Sequence, residues 1–179
     1  MTRGTRSLLW GVHQFALHPF FIWLSWVWLY RSVPTWRETV CIVIHDWGYW
    51  GKQFMDDEVG QRHPEWAAAV AGKLFGPAYR DLCLYHSRFY SCRAGVNPSK
   101  LCWADKFCIC IEPWWFYIPR ALLSGELKEY REHFVRIVGM PLQASHRAWY
   151  RQLRQLVRRL IQTHAADLKR DVCAKKTGG

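Results

Sequence analysis

The sequence predicts an all-α fold in a single helical domain. Apolar residues recur at helical spacing through most of the chain. The run Ala67-Ala68-Ala69, with Ala71 close behind, strongly favours helix. Pro and Gly fall at plausible breaks: Pro34, Gly48 to Gly51, Gly60, Gly76-Pro77, Gly95 to Pro98, Pro113, Pro119, Gly125 and Gly139 to Pro141. No internal repeat or low-complexity linker is present, and 179 residues suit one hydrophobic core.

The first expected helix covers about His18 to Tyr30, with Pro19 tolerated in its opening turn. The second covers about Trp36 to Asp46. Its stretch Thr39-Val40-Cys41-Ile42-Val43-Ile44 also suits a short buried strand, but helical neighbours favour helix. Further helices are expected over about Pro64 to Phe75, Ala78 to Tyr85, and Pro98 to Trp115 with Asn97 or Ser99 as N-cap. Two more run over about Gly125 to Ile137 and Ala144 to Leu168. Trp114-Trp115-Phe116-Tyr117 and Ile118-Pro119 read as a rigid aromatic block: a lid, a core corner or an oligomer contact. The domain is expected to span 1–168, with 169–179 as a basic, frayed tail.

Composition bounds the function. Phe15 to Tyr30 is uncharged but only 16 residues long, short of the ~20 needed to span a bilayer. No good small-residue cleavage site follows it, so the stretch reads as a buried helix of a cytoplasmic protein. Seven cysteines lack zinc-type pair spacing and read as mostly buried thiols in a reducing compartment. The net charge of +11 attracts anions: phosphates, nucleotides, nucleic acid or anionic lipid. In the last helix Trp149, Leu153, Leu156, Val157, Leu160 and Ile161 form an apolar stripe. Arg147, Arg151, Arg154, Arg158 and Arg159 dominate the other face, which is either a solvated surface or a nucleic-acid contact.

The chemistry lies in a series of ionisable residues within, or at the ends of, apolar segments. His45-Asp46 closes the second helix. His18 opens an apolar helix, His63 opens the Ala-rich one, His86 ends Leu82-Cys83-Leu84-Tyr85, and Asp105 sits within Leu101-Cys102-Trp103-Ala104-Asp105-Lys106. Each buried singly and unpaired is costly. Convergence on one metal centre removes all the penalties together, since imidazole and carboxylate suit Fe, Mn, Co, Ni or Zn. Each also has an ordinary role as the alternative: His18 or His63 starting a helix, His86 as a satisfied core histidine, Asp105 pairing with Lys106 or Arg88.

The order His18, His45-Asp46, His63, His86, Asp105 resembles the HD-domain superfamily of metal-dependent phosphohydrolases, over about residues 15 to 112. The resemblance implies an HD-type helical bundle. His18, His45, Asp46 and Asp105 would hold a first metal, and Asp46 would bridge to a second held by His63 and His86. It implies one or two divalent metals, Fe or Mn first, with Zn, Co, Ni or Mg possible. Many hydrolytic members carry Lys three residues after the HD aspartate. Tyr49 stands there in this chain, and Lys52 is the nearest substitute. With one metal only, His63 and His86 would contact substrate.

Asp46, Lys52 and Arg88 are therefore the expected catalytic residues, with Lys100 and Lys106 completing an anion-binding rim. Trp47, Tyr49 and Trp50 either stack a nucleobase or fill the core. Glu65 either orients a ligand histidine or is a first-turn acid. His13, His133, His146 and His164 fall outside the pattern. The expected activity is hydrolysis of a nucleotide, cyclic nucleotide or related phosphoester by a metal-activated water. The alternatives are a mixed-valence di-iron oxygenase of the same superfamily and a non-catalytic, basic nucleic-acid-binding module. An oligomer is compatible with either enzyme.

Overall fold

Helix after helix begins where a side chain or a proline disposes of its unpaired first amides. The Thr2, Thr35, Asp57, Ser99 and Ser145 side chains accept from backbone amides three residues on. Thr35 forms a full capping box with Glu38. Pro64 and Pro77 occupy first-turn positions, where no amide is needed.

The computed structural model describes residues 1–55, 57–139 and 142–164. The elements are α1 (Arg3–Trp10), α2 (Leu17–Tyr30), α3 (Trp36–Ile44), α4 (Glu58–Gln61), α5 (Pro64–Phe75), α6 (Pro77–Leu84), α7 (Arg88–Ala94), α8 (Lys100–Ile111), α9 (Trp114–Ser124), α10 (Glu126–Val138) and α11 (His146–Thr163), with a 3-10 turn at Trp47–Tyr49. No strand occurs among the described residues, so the fold is all-α. The second expected helix is indeed helical, but it ends at Ile44. His45 caps it and Asp46 leaves the helical register.

The expected helix over Pro98 to Trp115 is two helices. Glu112 precedes Pro113, a position where αR backbone is disfavoured, and it is extended. The aromatic block then opens α9, with Pro119 inside that helix. Helices α1, α4 and α7, and α9 beyond Trp115, were not expected: α1, α4 and α7 are short, and α4 and α7 are largely polar. The last expected helix agrees with α11 as far as His164. Its end at Leu168, the tail and Cys173 lie outside the described residues.

Helices α2, α3 and α8 share one core around Ile22, Trp26, Ile42, Leu101 and Ala104. The α5–α6 hairpin packs on α3 through Cys41, Ile44, Ala67, Ala68, Ala71 and Cys83. A further core joins α9, α10 and α11 through Tyr117, Ile118, Leu127, Phe134 and Trp149. Trp103, Phe107 and Cys110 of α8 pack on Val157 and Ile161 of α11. One side of α8 thus faces α2, and another faces α11. No described helix is long and apolar enough to cross a membrane. Described cysteines are free, and all but Cys92 are buried.

Two buried charged groups grip the loop between α1 and α2. Arg120 donates to Glu112 and, at 3.0 Å, to the Gly11 carbonyl. Glu126, fully buried, accepts from Ser7 Oγ at 2.7 Å, the Val12 amide at 3.1 Å and Tyr130 at 2.9 Å, and also from Ser124. A Cβ on Gly11 would collide with Glu126 and Ser124, so only glycine permits this approach.

Removing one partner of a buried pair strands the other. Arg120→Ala is therefore expected to lower unfolding free energy by about 3–5 kcal/mol in urea titration. Arg80→Ala, which breaks an exposed pair with Asp81, should change it by about 0–1 kcal/mol.

Candidate metal centre

The HD pair sits at the end of α3, where the chain turns into Trp47–Tyr49. Leaving the helix frees Asp46 to reach outward on both sides. Its Oδ2 lies 3.2 Å from His18 Nε2 and 3.0 Å from His45 Nε2. Its Oδ1 lies 3.5 Å from both His63 Nε2 and His86 Nε2. Asp105 Oδ1 closes the first group at 3.2 Å from His18 Nε2. The donor atoms of His18, His45, Asp46 and Asp105 all lie within 4.8 Å of one another, as do those of Asp46, His63 and His86. One carboxylate therefore belongs to two ligand sets, with a different oxygen turned toward each.

The histidines are oriented by their backbone. His45 Nδ1 donates to the Ile42 carbonyl at 2.7 Å, His63 Nδ1 to Gly60 at 2.9 Å and His86 Nδ1 to Cys83 at 2.5 Å. Each bond runs to the carbonyl three residues back. A carbonyl only accepts, so Nδ1 carries the proton and Nε2 keeps its lone pair for the centre. His63 Nε2 and His86 Nε2 then face each other at 3.0 Å with no hydrogen between them. Two such lone pairs at that distance call for a cation. His18 Nε2 and His45 Nε2 are likewise buried without a hydrogen-bond partner. All four imidazoles and Asp46 are buried. The donor set and its unsatisfied atoms fit a metal ion.

Charge supports the same reading. Burial pushes the Asp46 carboxyl up, but His45, His13 and His18 outweigh it and hold the group well below the usual carboxylate range. Burial likewise opposes ionisation of Asp105, and His18 reverses it. His63 is pushed down to about 3 by burial and by His86, so it is neutral at neutral pH. Burial disfavours a charge on His18, yet Cys108, Asp105 and Asp46 together hold its imidazolium well above the ordinary range. At neutral pH the two carboxylates carry that effect, because burial pushes the Cys108 thiol up to about 11.

Packing fixes the second ligand set. Tyr49 is buried and stacks on His63 with ring centroids 3.9 Å apart. Gly48 lies so close to His63 that a Cβ would collide with its carbonyl oxygen. Glu65 does not orient His63. It is exposed, pairs with Arg62 at 3.1 Å and accepts from Tyr90 at 2.5 Å.

A cleft of about 650 Å³ opens onto the centre, and Asp46, His63, His86, Arg88, Asp105 and Lys106 are among its lining residues. Arg88 is exposed at this cleft. Asp81 pairs with Arg80 and Glu112 with Arg120, not with Arg88. Lys52 and Lys100 do not line the cleft, and Lys106 supplies a cation there. Trp47 and Trp50 line a separate apolar depression with Phe15 and Trp66, so they are not stacked over the centre.

His13 is the residue that sequence reasoning missed. Its Nε2 lies 3.8 Å from Asp46 Oδ2, and its Nδ1 lies 2.9 Å from Glu126 Oε1. Burial pushes the Glu126 carboxyl up, but its bonds from His13 and Ser124 bring it down to about 2, so it is an anion at neutral pH. It therefore accepts from His13 Nδ1 and turns Nε2 into the cleft. His133 lines the same cleft.

No family model, characterised protein or solved structure matches the chain. Its chemistry is therefore read from this geometry.

Metal content measured by elemental analysis should fall from about two ions per chain to about one in His63→Ala or His86→Ala, and to none in Asp46→Ala. Metal and proton compete for His18, so affinity should weaken as pH falls, beginning above the ordinary imidazole value. Dialysis at about pH 5 should strip metal that is retained at about pH 7.5.

Proposed function

We propose that this chain is a metal-dependent phosphohydrolase acting on a nucleotide, cyclic nucleotide or related phosphoester, with the HD-type arrangement its sequence resembles. The observation that carries the reading is the division of Asp46, with one oxygen toward His18 and His45 and the other toward His63 and His86. His18, His45, Asp46 and Asp105, together with His63 and His86, would hold a pair of divalent ions, Fe or Mn first, which would activate a water and neutralise charge on the phosphoryl group. Arg88 and Lys106 bind phosphoryl oxygens at the cleft, Arg88 by its planar fork and Lys106 as a point charge. Burial opposes a charge on His13, but Asp46 and Glu126 raise its pKa, and the imidazolium so favoured gives a proton to the leaving oxygen beside Asp46. Tyr49 covers the inner face of His63 and excludes solvent there.

A di-iron oxygenase is the second reading. It is favoured by Tyr49, packed against His63 at the position where many hydrolytic members of the superfamily it resembles carry a phosphate-binding lysine. Its substrate would be a small polar molecule.

The deciding experiment gives protein loaded separately with Mn²⁺ or Fe²⁺ a panel of nucleoside monophosphates, cyclic nucleotides and bis(p-nitrophenyl) phosphate. Phosphoester cleavage that disappears in Asp46→Ala is the expected result. Arg88→Ala should raise KM by about tenfold with a smaller effect on kcat, because a mouth residue contributes mainly uniform binding. Oxygen uptake by the iron-loaded protein without phosphoester cleavage would replace the hydrolase with the oxygenase.

A further inference from the structure

Away from the metals, α11 carries five arginines and no acidic residue. Arg147, Arg151, Arg154 and Arg158 follow one another at steps of four, three and four, which sets them in one stripe. The stripe is about 16 Å long at the helical rise. None of the described ion pairs involves these arginines. They line a groove of 290 Å³ together with Gln155 and Trp114, the first residue of α9. Trp114 is 38% exposed, and the Arg147 guanidinium lies over its ring, 5.7 Å from the centroid. The floor is fixed. Arg154 donates to the Cys110 carbonyl, and the buried Tyr150 hydroxyl lies 2.9 and 2.8 Å from the carbonyl oxygens of Ile109 and Glu112.

We propose that this groove binds single-stranded nucleic acid, with phosphates along the arginine stripe and a base on the exposed Trp114 ring. A row of guanidiniums, none of them in a described ion pair, with a partly exposed indole at its end matches the two requirements of strand binding: charge along a track and a surface on which an unstacked base can lie. A duplex keeps its bases stacked and leaves Trp114 without a partner. The stripe is also longer than one nucleotide's phosphates require. A lipid-inserting face projects apolar side chains outward, whereas this groove is concave and its indole lies beside a guanidinium. The groove is independent of the metal centre, because α8 meets α11 through Trp103, Phe107 and Cys110 and carries Asp105 toward the metals.

The test measures fluorescence anisotropy of labelled oligouridine and oligothymidine with the full, metal-loaded chain. Three or four phosphate contacts predict a loss of roughly 20- to 50-fold in affinity between about 50 and 200 mM salt. Arg151→Gln/Arg158→Gln should weaken binding by at least about tenfold and flatten the salt dependence by roughly two phosphate contacts. Trp114→Leu should weaken it while leaving the salt dependence unchanged. Lys73→Gln/Arg93→Gln removes the same charge from exposed positions on α5 and α7, and it should bind as the parent does. Circular dichroism and metal content should match the parent in all three variants. The proposal is overturned if the two double variants lose affinity equally, since net charge alone then explains binding. It is also overturned if no oligonucleotide binds. Sedimentation with phosphatidylserine vesicles that is lost in Arg151→Gln/Arg158→Gln, with oligonucleotide binding intact, would assign the face to a membrane surface instead.

Discussion

A single buried carboxylate organises the molecule. Asp46 has imidazoles on both sides and is held as an anion by the histidines around it. An isolated anion at that depth carries a large desolvation cost. The elements around it are arranged to meet that cost. Helix α2 delivers His18, the end of α3 delivers His45, the start of α5 delivers His63, the segment after α6 delivers His86 and α8 delivers Asp105. Five separate packing relationships must therefore hold at once, and the apolar clusters joining α2, α3, α5, α6 and α8 are what maintain them.

The backbone shares in this arrangement through one repeated local device. His45, His63 and His86 each send Nδ1 to the carbonyl three residues earlier. Each ring is thereby fixed by its own turn, without a dedicated carboxylate from elsewhere in the chain. His13 differs. Its Nδ1 partner is Glu126, which also ties Ser7, the Val12 amide, Ser124 and Tyr130. The loop carrying His13 is thus positioned by a distant helix, whereas three of the ligand histidines are positioned locally.

That difference explains what could be read from the sequence. His45-Asp46, His63, His86 and Asp105 stand out because each is an ionisable residue in or beside an apolar segment, and the apolar period is visible in one dimension. The all-α fold was legible for the same reason. His13 lies in the loop between Leu8-Leu9-Trp10 and Phe15-Ala16-Leu17, outside either helix, and its partner is 113 residues away. The one available signal was Glu126 itself, an acid bound for the interior, and a first-turn acid is ordinary enough to pass unnoticed. The division of Pro98 to Trp115 was legible in principle, because Glu112 precedes Pro113, where helical backbone is disfavoured. The aromatic richness of Trp114 to Tyr117 concealed an ordinary helix start. Trp47 and Trp50 adjoin Asp46 in sequence, yet the turn at Gly48 directs them to a different surface from the one Asp46 faces.

The span of the ligands along the chain bears on how the protein reaches this state. The first ligand is His18 and the last is Asp105, while the grip on the α1–α2 loop waits for Arg120 and Glu126. Helices such as α5 and α6 can pair early, because their contacts are close in sequence. The centre cannot close until segments nearly ninety residues apart, as His18 and Asp105 are, have met, and such closures are slow because loop entropy is lost before contacts repay it. Capture of an ion by this centre would accordingly come late in folding. An ion held there would secure a tertiary arrangement of helices already formed, and without it the surrounding imidazoles alone offset the charge of Asp46.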